Sequence, residues 1–368
     1  MNRIPNAVLA FFLLIALSPA RAQVIPDRLD ALFLPLVTDA SPGFAVGIIR
    51  DGRLDLSRTY GLADLKNGAP ITTSTDFRLA SLTKQFTATA IMLLVREGRL
   101  RYDGSLTEVF PEFPAYGRAV TIRHLLNHTS GLKDYEDIYA GQMRGRPPDK
   151  VPQITDAGVL ELMEHQNGTD FPPGSRWRYS NSGYAILAMA VEHISGKPFQ
   201  DFLRDHVFKP LSMDHTVAFV PGRNRVPDRA FGYRKDKDGW AFSDQSPTSA
   251  VLGDGGVYSS IDDLAKWVSA LDRHVLLSAG EIRPAFTPVI APGVESPDHA
   301  PAAYGFGWFL DPYKGHRRTW HYGETCGFLT SIQRFPDERL TVIILSNRID
   351  TDPTPLASRI ADMCLTDR

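Results

Sequence analysis

The sequence predicts an α/β fold, in which an antiparallel sheet built from both chain ends and flanked by helices carries an inserted, mainly helical domain. Three observations favour this class. Strand-like runs lie near the start, similar runs return near the end, and the segment between them has helical periodicity. The 368 residues, 43% hydrophobic and 22% charged, are typical of a globular protein that buries a large core.

The strand-like runs come in two groups. Runs at 44–50 and 54–61 are joined by Asp51-Gly52, a strong signal for a two-residue hairpin turn. The second group lies in the last quarter of the sequence and comprises 304–310, 317–322, 328–335 and 340–347. We expect the two groups to form one sheet.

Between these groups the apolar residues recur at helical spacing. The predicted helices are 82–96, 121–127, 156–165, 182–195, 199–207 and 261–271. Ser81, Thr121 and Asn181 stand at predicted helix starts, where cap residues are favoured. We assign 23–78 and 290–368 to a discontinuous α/β domain and 79–289 to the helical domain, with the helix after Ser81 at their interface.

Two further helices are predicted to cover the sheet. One spans 355–365, and the other spans 26–37 with one apolar face. That face consists of Leu29, Leu32, Phe33 and Leu36.

Residues 1–22 have the pattern of a secretory signal peptide. Arg3 precedes an apolar run at 7–17, and Ala20-Arg21-Ala22 stands before Gln23. The run is shorter than the roughly 20 residues that span a bilayer, so we expect cleavage near Gln23 rather than a membrane anchor. The expected location is periplasmic or secreted, with no transmembrane segment after signal removal.

Charge and cysteine content exclude some classes of function. The formal net charge is -2, and it becomes -4 when Arg3 and Arg21 are lost, so the chain has no nucleic-acid footprint. Cys326 and Cys364 are the only cysteines. One bridge or two buried thiols are compatible with an oxidising compartment, and we expect a bridge if the terminal helix packs behind the strand before Cys326.

A first chemical motif is formed by Ser81 and Lys84, which are three residues apart at a predicted helix start. This spacing places both side chains on one helix face. A serine hydroxyl becomes nucleophilic when a neighbour removes its proton, and a partly desolvated lysine can assist. Ser-x-x-Lys alone also fits a capped helix with a solvated lysine.

A second motif, Tyr179-Ser180-Asn181, lies on a loop that enters a helix. Tyr179 can act as a base only if a cation such as Lys84 stabilises its phenolate. The alternatives are an aromatic packing residue at Tyr179 and a helix cap at Asn181.

A third motif ends a predicted strand and reads Trp320-His321-Tyr322-Gly323-Glu324. Gly323 allows the backbone to approach a ligand closely. The alternative is a sheet end that carries a structural histidine.

In this order and at these separations, the three motifs resemble the signature of the serine β-lactamase and penicillin-binding-protein superfamily. Tyr-x-Asn resembles class C β-lactamases, and His-x-Gly resembles their esterase, D-aminopeptidase and D,D-carboxypeptidase relatives. Segments 124–132 and 253–259 are also similar to family segments, so the resemblance covers roughly 43–347. It implies a β-lactamase-like sandwich.

The resemblance implies a serine hydrolase that forms an acyl-enzyme on Ser81 and cleaves an ester, amide, peptide or lactam bond. Lys84 and Tyr179 would transfer protons, and the backbone amides of Ser81 and Glu324 would bind the oxyanion. Asn181 and His321 would contact a small-molecule or peptide substrate, including one derived from the cell wall. No cofactor and no metal are implied.

Tyr322 and Glu324 depart from the family pattern, in which small residues are usual. We therefore expect weak or absent β-lactamase activity. The alternative to an enzyme is a non-catalytic, penicillin-recognising domain that binds or senses cell-wall fragments.

His124 and His128 are four residues apart on a predicted helix, which is the spacing of a zinc pair. No glutamate stands beside His124 as in His-Glu-x-x-His, so we expect structural roles for both histidines.

Overall fold

The computed structural model describes residues 19–147, 150–294 and 302–365. The strands in these ranges are β1 (Phe44–Arg50), β2 (Arg53–Tyr60), β3 (Leu62–Asp64), β4 (Ala69–Pro70), β5 (Phe77–Arg78), β6 (Val217–Ala218), β7 (Tyr233–Asp236), β8 (Gly239–Phe242), β9 (Val257–Ser259), β10 (Thr319–Thr325), β11 (Phe328–Phe335) and β12 (Leu340–Ser346).

The helices of the same ranges are α1 (Pro19–Phe33), α2 (Lys84–Arg96), α3 (Leu106–Val109), α4 (Ile122–Leu126), α5 (Tyr135–Gln142), α6 (Asp156–Glu164), α7 (Asn181–Ser195), α8 (Phe199–Leu203), α9 (Ile261–Asp272), α10 (Ala279–Ile282) and α11 (Pro353–Cys364).

The main sheet joins strands from both ends of the chain. Its order is β10-β11-β12-β1-β2, and all neighbours run antiparallel. Phe44 at the start of β1 lies opposite Ser346 on one side and Tyr60 on the other. The predicted sheet of two sequence-distant groups is therefore confirmed.

Alternate residues of β1 pack into two hydrophobic layers, as strand geometry requires. Phe44 and Val46 join a buried cluster with α1 and α11, whereas Ala45 and Ile49 join a larger cluster with α9 and the central helices. Leu29 and Phe33 on the predicted apolar face of α1 are fully buried. Helices thus flank the sheet on both faces.

Helix α2 lies at the centre of the larger cluster. Every residue from 84 to 94 is buried, and a helix that is buried all round belongs to the interior of a protein. Lys84 opens this helix, so its ammonium group is removed from bulk water.

Several local predictions differ from the structure. The predicted strand at 304–310 is wrong, because Gly307 adopts φ +76° and the segment turns back, forming only the isolated bridges Tyr304↔Phe309 and Phe309↔Trp320. Ser81 does not cap a helix; it lies in a 3₁₀ turn at Ala80–Thr83, and α2 begins after it. The helix predicted at 199–207 ends at 203 and continues as a π turn.

The predicted disulfide is also wrong, because Cys326 and Cys364 are both free thiols. Cys326 lies in the turn between β10 and β11, with its Sγ 3.8 Å from Ser249 Oγ. Cys364 packs against the cluster formed with α1 and α11. Helix α11 packs against β11 and β12, and the cluster that contains Cys364 does not include Cys326.

The predicted signal peptide falls mainly on residues 1–18, which lie outside the described residues. Across the described ranges, no helix combines the length and the apolar character needed to cross a bilayer. The division into two domains stays a prediction.

Candidate active site

Ser81 lies on a tight turn between β5 and α2. The preceding Ala80 has φ +49°, a left-handed conformation that is uncommon for a residue with a side chain. The Leu79 amide donates to the carbonyl of Val257 at 2.8 Å, which fixes the entrance to the turn. Neighbouring strands therefore hold Ser81 in place and leave its hydroxyl free for other contacts.

Lys84 is fully buried and meets three acceptors. Its Nζ lies 3.0 Å from Ser81 Oγ, 2.9 Å from Asn181 Oδ1 and 2.9 Å from the carbonyl oxygen of Asp254. These acceptors match the three hydrogens of an ammonium group. Burial lowers the pKa of Lys84 to about 8, although the carboxylates of Asp254 and Glu136 oppose this shift. Both protonation states are accessible near neutral pH.

The hydroxyl of Tyr179 is buried beside Ser81 and forms no hydrogen bond of good geometry within the described residues. Lys84 Nζ lies 5.0 Å from the centre of the Tyr179 ring. Burial raises the pKa of Tyr179, the contact with Ser81 lowers it less, and Asp254 raises it further. This direction is opposite to the one a stable phenolate requires.

Asn181 begins α7, but its side chain does not cap the helix. It accepts from Lys84 instead, while the Asn181 amide donates to Asp134 Oδ2 at 3.0 Å. Ser180 occupies the cap position without a side-chain cap. The predicted cap at this point is thus replaced by a contact with Lys84.

His321 is completely buried on β10. Its Nδ1 lies 2.6 Å from the carbonyl oxygen of Tyr322, and its Nε2 lies 3.1 Å from the Tyr304 hydroxyl. Burial lowers the pKa of His321 to about 3, and the charge of Lys84 acts in the same direction. His321 is therefore a neutral side chain beneath the cleft surface.

Gly323 allows close packing against the turn that carries Ser81. A Cβ added to this glycine would lie 2.3 Å from the Leu79 carbonyl oxygen, 2.4 Å from Thr330 Oγ1 and 3.1 Å from the Cβ of Ala80. Because Gly323 has no side chain, it approaches the backbone of the Ser81 turn closely. Strand β10 thus lies directly against the Ser81 turn.

Glu324 is exposed and lines a cleft together with Ser81 and Asn181. Tyr322, which lies on the same strand face, is half-buried and packs with the cluster around Trp320. Glu136 lines the same cleft.

Two acidic residues of the cleft were not singled out from the sequence. Asp254 accepts from the Tyr135 hydroxyl at 2.8 Å, and burial raises the pKa of Asp254 to about 6. Burial likewise raises the pKa of Glu136 to about 7. The glycine-rich segment 253–256 could have indicated Asp254, because glycines in a loop mark close packing. Position 253 needs a glycine, since an added Cβ would lie 2.3 Å from the Tyr184 carbonyl oxygen. Glu136 had no comparable signal.

The two histidines with zinc-pair spacing do not face a common site. His124 completes a capping box, in which its Nδ1 accepts from the Thr121 amide at 3.2 Å. His128 bonds to Ser180 and Tyr304. Among the residues that the structure describes, no group of three or more metal-ligating side chains is arranged to hold an ion.

Comparison with known proteins gives concordant results. The family model "Beta-lactamase" matches residues 29–363. Penicillin-binding protein 4* of Bacillus subtilis is 35% identical over 305 residues, which cover 79% of this chain and 64% of that protein. A D-aminopeptidase of Cereibacter sphaeroides is 28% identical over 311 residues, covering 83% of this chain and 57% of that protein. The chain thus spans less than two thirds of the length of either relative.

Solved structures show the same likeness. The octameric penicillin-binding protein homologue from Pyrococcus abyssi superposes with a TM-score of 0.78 at 25% identity, covering 95% of this chain and 77% of that chain. The D-amino acid amidase from Ochrobactrum anthropi SV3, solved with L-phenylalanine amide, has a TM-score of 0.73 at 27% identity. That comparison covers 94% of this chain and 96% of the amidase.

Proposed function

This chain belongs to the serine β-lactamase and penicillin-binding-protein superfamily, and from that premise we propose that it hydrolyses amide or peptide bonds through an acyl-enzyme on Ser81. One observation carries the proposal. The fully buried Nζ of Lys84 lies 3.0 Å from Ser81 Oγ and has a pKa lowered to about 8. A lysine in this state can take a proton from serine near neutral pH.

Lys84 and Tyr179 divide the proton transfers. With Lys84 neutral, the proton of Ser81 moves to Lys84 as Oγ attacks the substrate carbonyl carbon. The bond to the leaving nitrogen then breaks, that nitrogen takes the proton of the Tyr179 hydroxyl, and the protonated Lys84 returns a proton to the Tyr179 oxygen. Because burial raises the pKa of Tyr179, this residue relays a proton as a neutral hydroxyl and does not act as a standing phenolate. Water then hydrolyses the acyl-enzyme and restores Ser81.

The backbone amides of Ser81 and Glu324 are proposed to bind the oxyanion. The contact of Gly323 with Leu79 and Ala80 supports this assignment, because it brings β10 against the Ser81 turn. Donors fixed before reaction stabilise charge that develops in the transition state, and loss of one such donor typically costs about 3 to 4 kcal/mol.

The cleft charge favours substrates that carry a free amino group. Glu136, Asp254 and Glu324 line the cleft, whereas the guanidinium of Arg78 is committed to the carbonyls of Gly255 (3.2 Å) and Ser249 (2.9 Å). Acidic side chains attract an ammonium group and repel a carboxylate. Similarity to a D-aminopeptidase and to a D-amino acid amidase supports the same class, and Asn181 remains the proposed contact for the acyl-side amide.

Covalent labelling tests the nucleophile. We expect a fluorophosphonate probe to modify the unmodified protein on Ser81, as located by mass spectrometry, and to leave Ser81→Ala unlabelled. An adduct on Ser130, Ser180 or Ser182 would contradict the assignment. Absence of any adduct would favour the non-catalytic domain that senses cell-wall fragments.

Paired substrates test the role of the amino group. We expect D-phenylalanine amide to be cleaved with a kcat/KM about tenfold or more above that of N-acetyl-D-phenylalanine amide, because acetylation removes the charge that the cleft attracts. Equal rates would exclude a contribution from the amino group, and the L-enantiomers serve as the stereochemical control.

Export is proposed from the pattern of residues 1–22 alone. Intact-mass analysis of protein from the periplasm or the medium should find a chain that begins near Gln23. A chain that retains residues 1–22 would contradict cleavage.

A further inference from the structure

A buried chain of three side chains links the two segments that flank the cleft. His128 Nε2 and His321 Nε2 each lie 3.1 Å from the hydroxyl oxygen of Tyr304. All three side chains are at most 1% exposed. The proposed proton transfers use neither His128 nor Tyr304, so their arrangement has another purpose.

The hydrogen-bond partners fix which ring nitrogen of each histidine carries the proton. The Ser180 backbone N–H donates to His128 Nδ1 at 3.2 Å, so a neutral His128 carries its proton on Nε2. The backbone carbonyl of Tyr322 can only accept, so His321 carries its proton on Nδ1. Tyr304 therefore accepts from His128 and donates to His321.

Burial keeps both histidines neutral. It lowers the pKa of His128 well below its ordinary value, and the positive charge of Lys84 lowers it further. The same two causes lower the pKa of His321. A neutral histidine has one donor and one acceptor nitrogen, and here both nitrogens of each ring are occupied.

His128 also holds the backbone on both sides of Tyr179. Its carbonyl oxygen accepts from the Arg178 amide at 2.9 Å, and its Nδ1 accepts from the amide of Ser180. The rings of His128 and Tyr179 are 4.3 Å apart between centres. His128 itself has φ +61°, so surrounding contacts maintain a conformation that most residues avoid.

We propose that His128 is a positioning residue for Tyr179, and that Tyr304 couples it to His321, so that one directional chain of neutral hydrogen bonds aligns the two segments. The proposal rests on the proposed function, in which Tyr179 donates a proton to the leaving nitrogen while Ser81 becomes acylated. It assigns His321 a positioning role beneath the cleft in place of direct contact with substrate.

Nitrogen NMR of the unmodified protein tests the direction of the chain without reference to activity. Two-bond ¹⁵N–¹H spectra should show His128 as the Nε2–H tautomer and His321 as the Nδ1–H tautomer, both neutral at pH 7. In Tyr304→Phe the Nε2 signals of both rings should shift, because they lose their shared partner. A cationic ring, or the opposite tautomer in either ring, would overturn the proposal.

Two substitutions at His128 separate its contacts. Asparagine can place an acceptor where Nδ1 stands and tolerates positive φ, whereas glutamine reaches toward the Nε2 position and loses the Ser180 contact. We expect H128Q to lower kcat and the labelling rate of Ser81 about 100-fold with KM within about twofold, and H128N to lower them about tenfold. His193→Gln, at an exposed histidine of α7, is the control.

The outcomes distinguish this inference from the proposed function. Failure of the unmodified protein to label on Ser81 would remove the proposed function. Normal labelling of Ser81 with equal rates per folded molecule in both His128 variants would remove the positioning role alone. If neither His128 variant folds, Tyr304→Phe tests the coupling, because it deletes only one hydroxyl group. Labelling of Ser81 is expected to be about threefold to tenfold slower in this variant. An unchanged labelling rate would overturn the coupling.

Discussion

Lys84 at the start of α2 and His321 on β10 are both buried, and burial lowers the pKa of both, but only the pKa of Lys84 stays close to neutral pH. Lys84 is fully buried, yet nearby carboxylates offset part of the burial penalty and its pKa remains at about 8. His321 is equally buried, but its partners are a carbonyl and a hydroxyl, and its pKa falls to about 3. Burial lowers the pKa of both groups, and Lys84 stays in a useful range for two reasons: the ordinary pKa of lysine is about 10.5 against about 6.5 for histidine, and nearby carboxylates offset part of the effect of burial.

Removal of the Lys84 ammonium group or of the Tyr179 hydroxyl is expected to cause the largest loss of activity. We expect Lys84→Ala and Tyr179→Phe each to lower kcat about 10² to 10⁴-fold with little change in thermal stability, because general acid–base assistance is typically of this size. Steady-state kinetics and thermal unfolding are the measurements, with Lys66→Ala as the control lysine. Near-normal turnover in either variant would refute that residue's role.

Gly323→Ala tests whether the His321 side positions the Ser81 turn. The added methyl group would contact the Leu79 carbonyl and Thr330, so β10 or the turn must move. A displacement of about 1 Å can cost 10²-fold in rate, and we expect a loss of that order in Ser81 labelling together with a lower Tm. Gly141→Ala, where an added Cβ meets nothing within 4 Å, is the matched control. Unchanged labelling would show that this contact is dispensable.

Glu324→Gln tests the charge of the cleft mouth. We expect kcat/KM for nitrocefin and benzylpenicillin to rise about tenfold relative to p-nitrophenyl acetate, because an exposed and partly screened like charge no longer repels the lactam carboxylate. Glu112→Gln changes an exposed glutamate outside the cleft lining and serves as the control. If the ratio of lactam to ester kcat/KM is unchanged in Glu324→Gln, Glu324 is excluded as the cause of poor lactam turnover. If the unmodified protein cleaves lactams as fast as esters, the expectation of weak β-lactamase activity is wrong.

The pH profile gives an expected change of about the same size as Glu324→Gln. Lys84 is active when neutral, and with a pKa of about 8 roughly one tenth is neutral at pH 7, so kcat/KM should rise about tenfold toward a plateau above pH 9. Glu136→Gln should move the midpoint downward, because removal of a nearby carboxylate lowers the pKa of Lys84. A profile that is flat from pH 6 to 9 would contradict the role of Lys84, and an inflection from His321 above pH 5 would contradict its neutral state.

The main sheet could be predicted from the sequence because its strands alternate and end at recognisable turns. The boundaries of β1 and β11 agree with the prediction, since Asp51-Gly52 and Pro336 mark their ends. The strand predicted at 304–310 failed because two glycines let the chain turn and pack against distant backbone: a Cβ on Gly305 would lie 2.0 Å from the Ala285 carbonyl oxygen. Such a contact depends on tertiary structure and leaves no local pattern.

The spacing of Ser81 and Lys84 was visible in the sequence, but its electrostatic setting was not. The partners of Lys84 come from residues 181 and 254, which are 97 and 170 positions away. The histidine chain is similar, because His128 and Tyr304 are 176 positions apart. Sequence identified which residue types were present, whereas hydrogen-bond direction required their three-dimensional neighbours.

The assembly of the main sheet from both chain ends has a consequence for the time at which activity appears. The Gly43 amide donates to the side chain of Asn347 at 2.8 Å, and Thr330 Oγ1 donates to the Leu79 carbonyl at 2.9 Å across 251 positions. A growing polypeptide that has already produced Ser81, Lys84 and Tyr179 still lacks the strand that braces their turn. The main sheet cannot form before β12 has been synthesised, and pairing of strands so far apart in the sequence is slow. Ser81 is therefore expected to remain inactive until after β12 has been made.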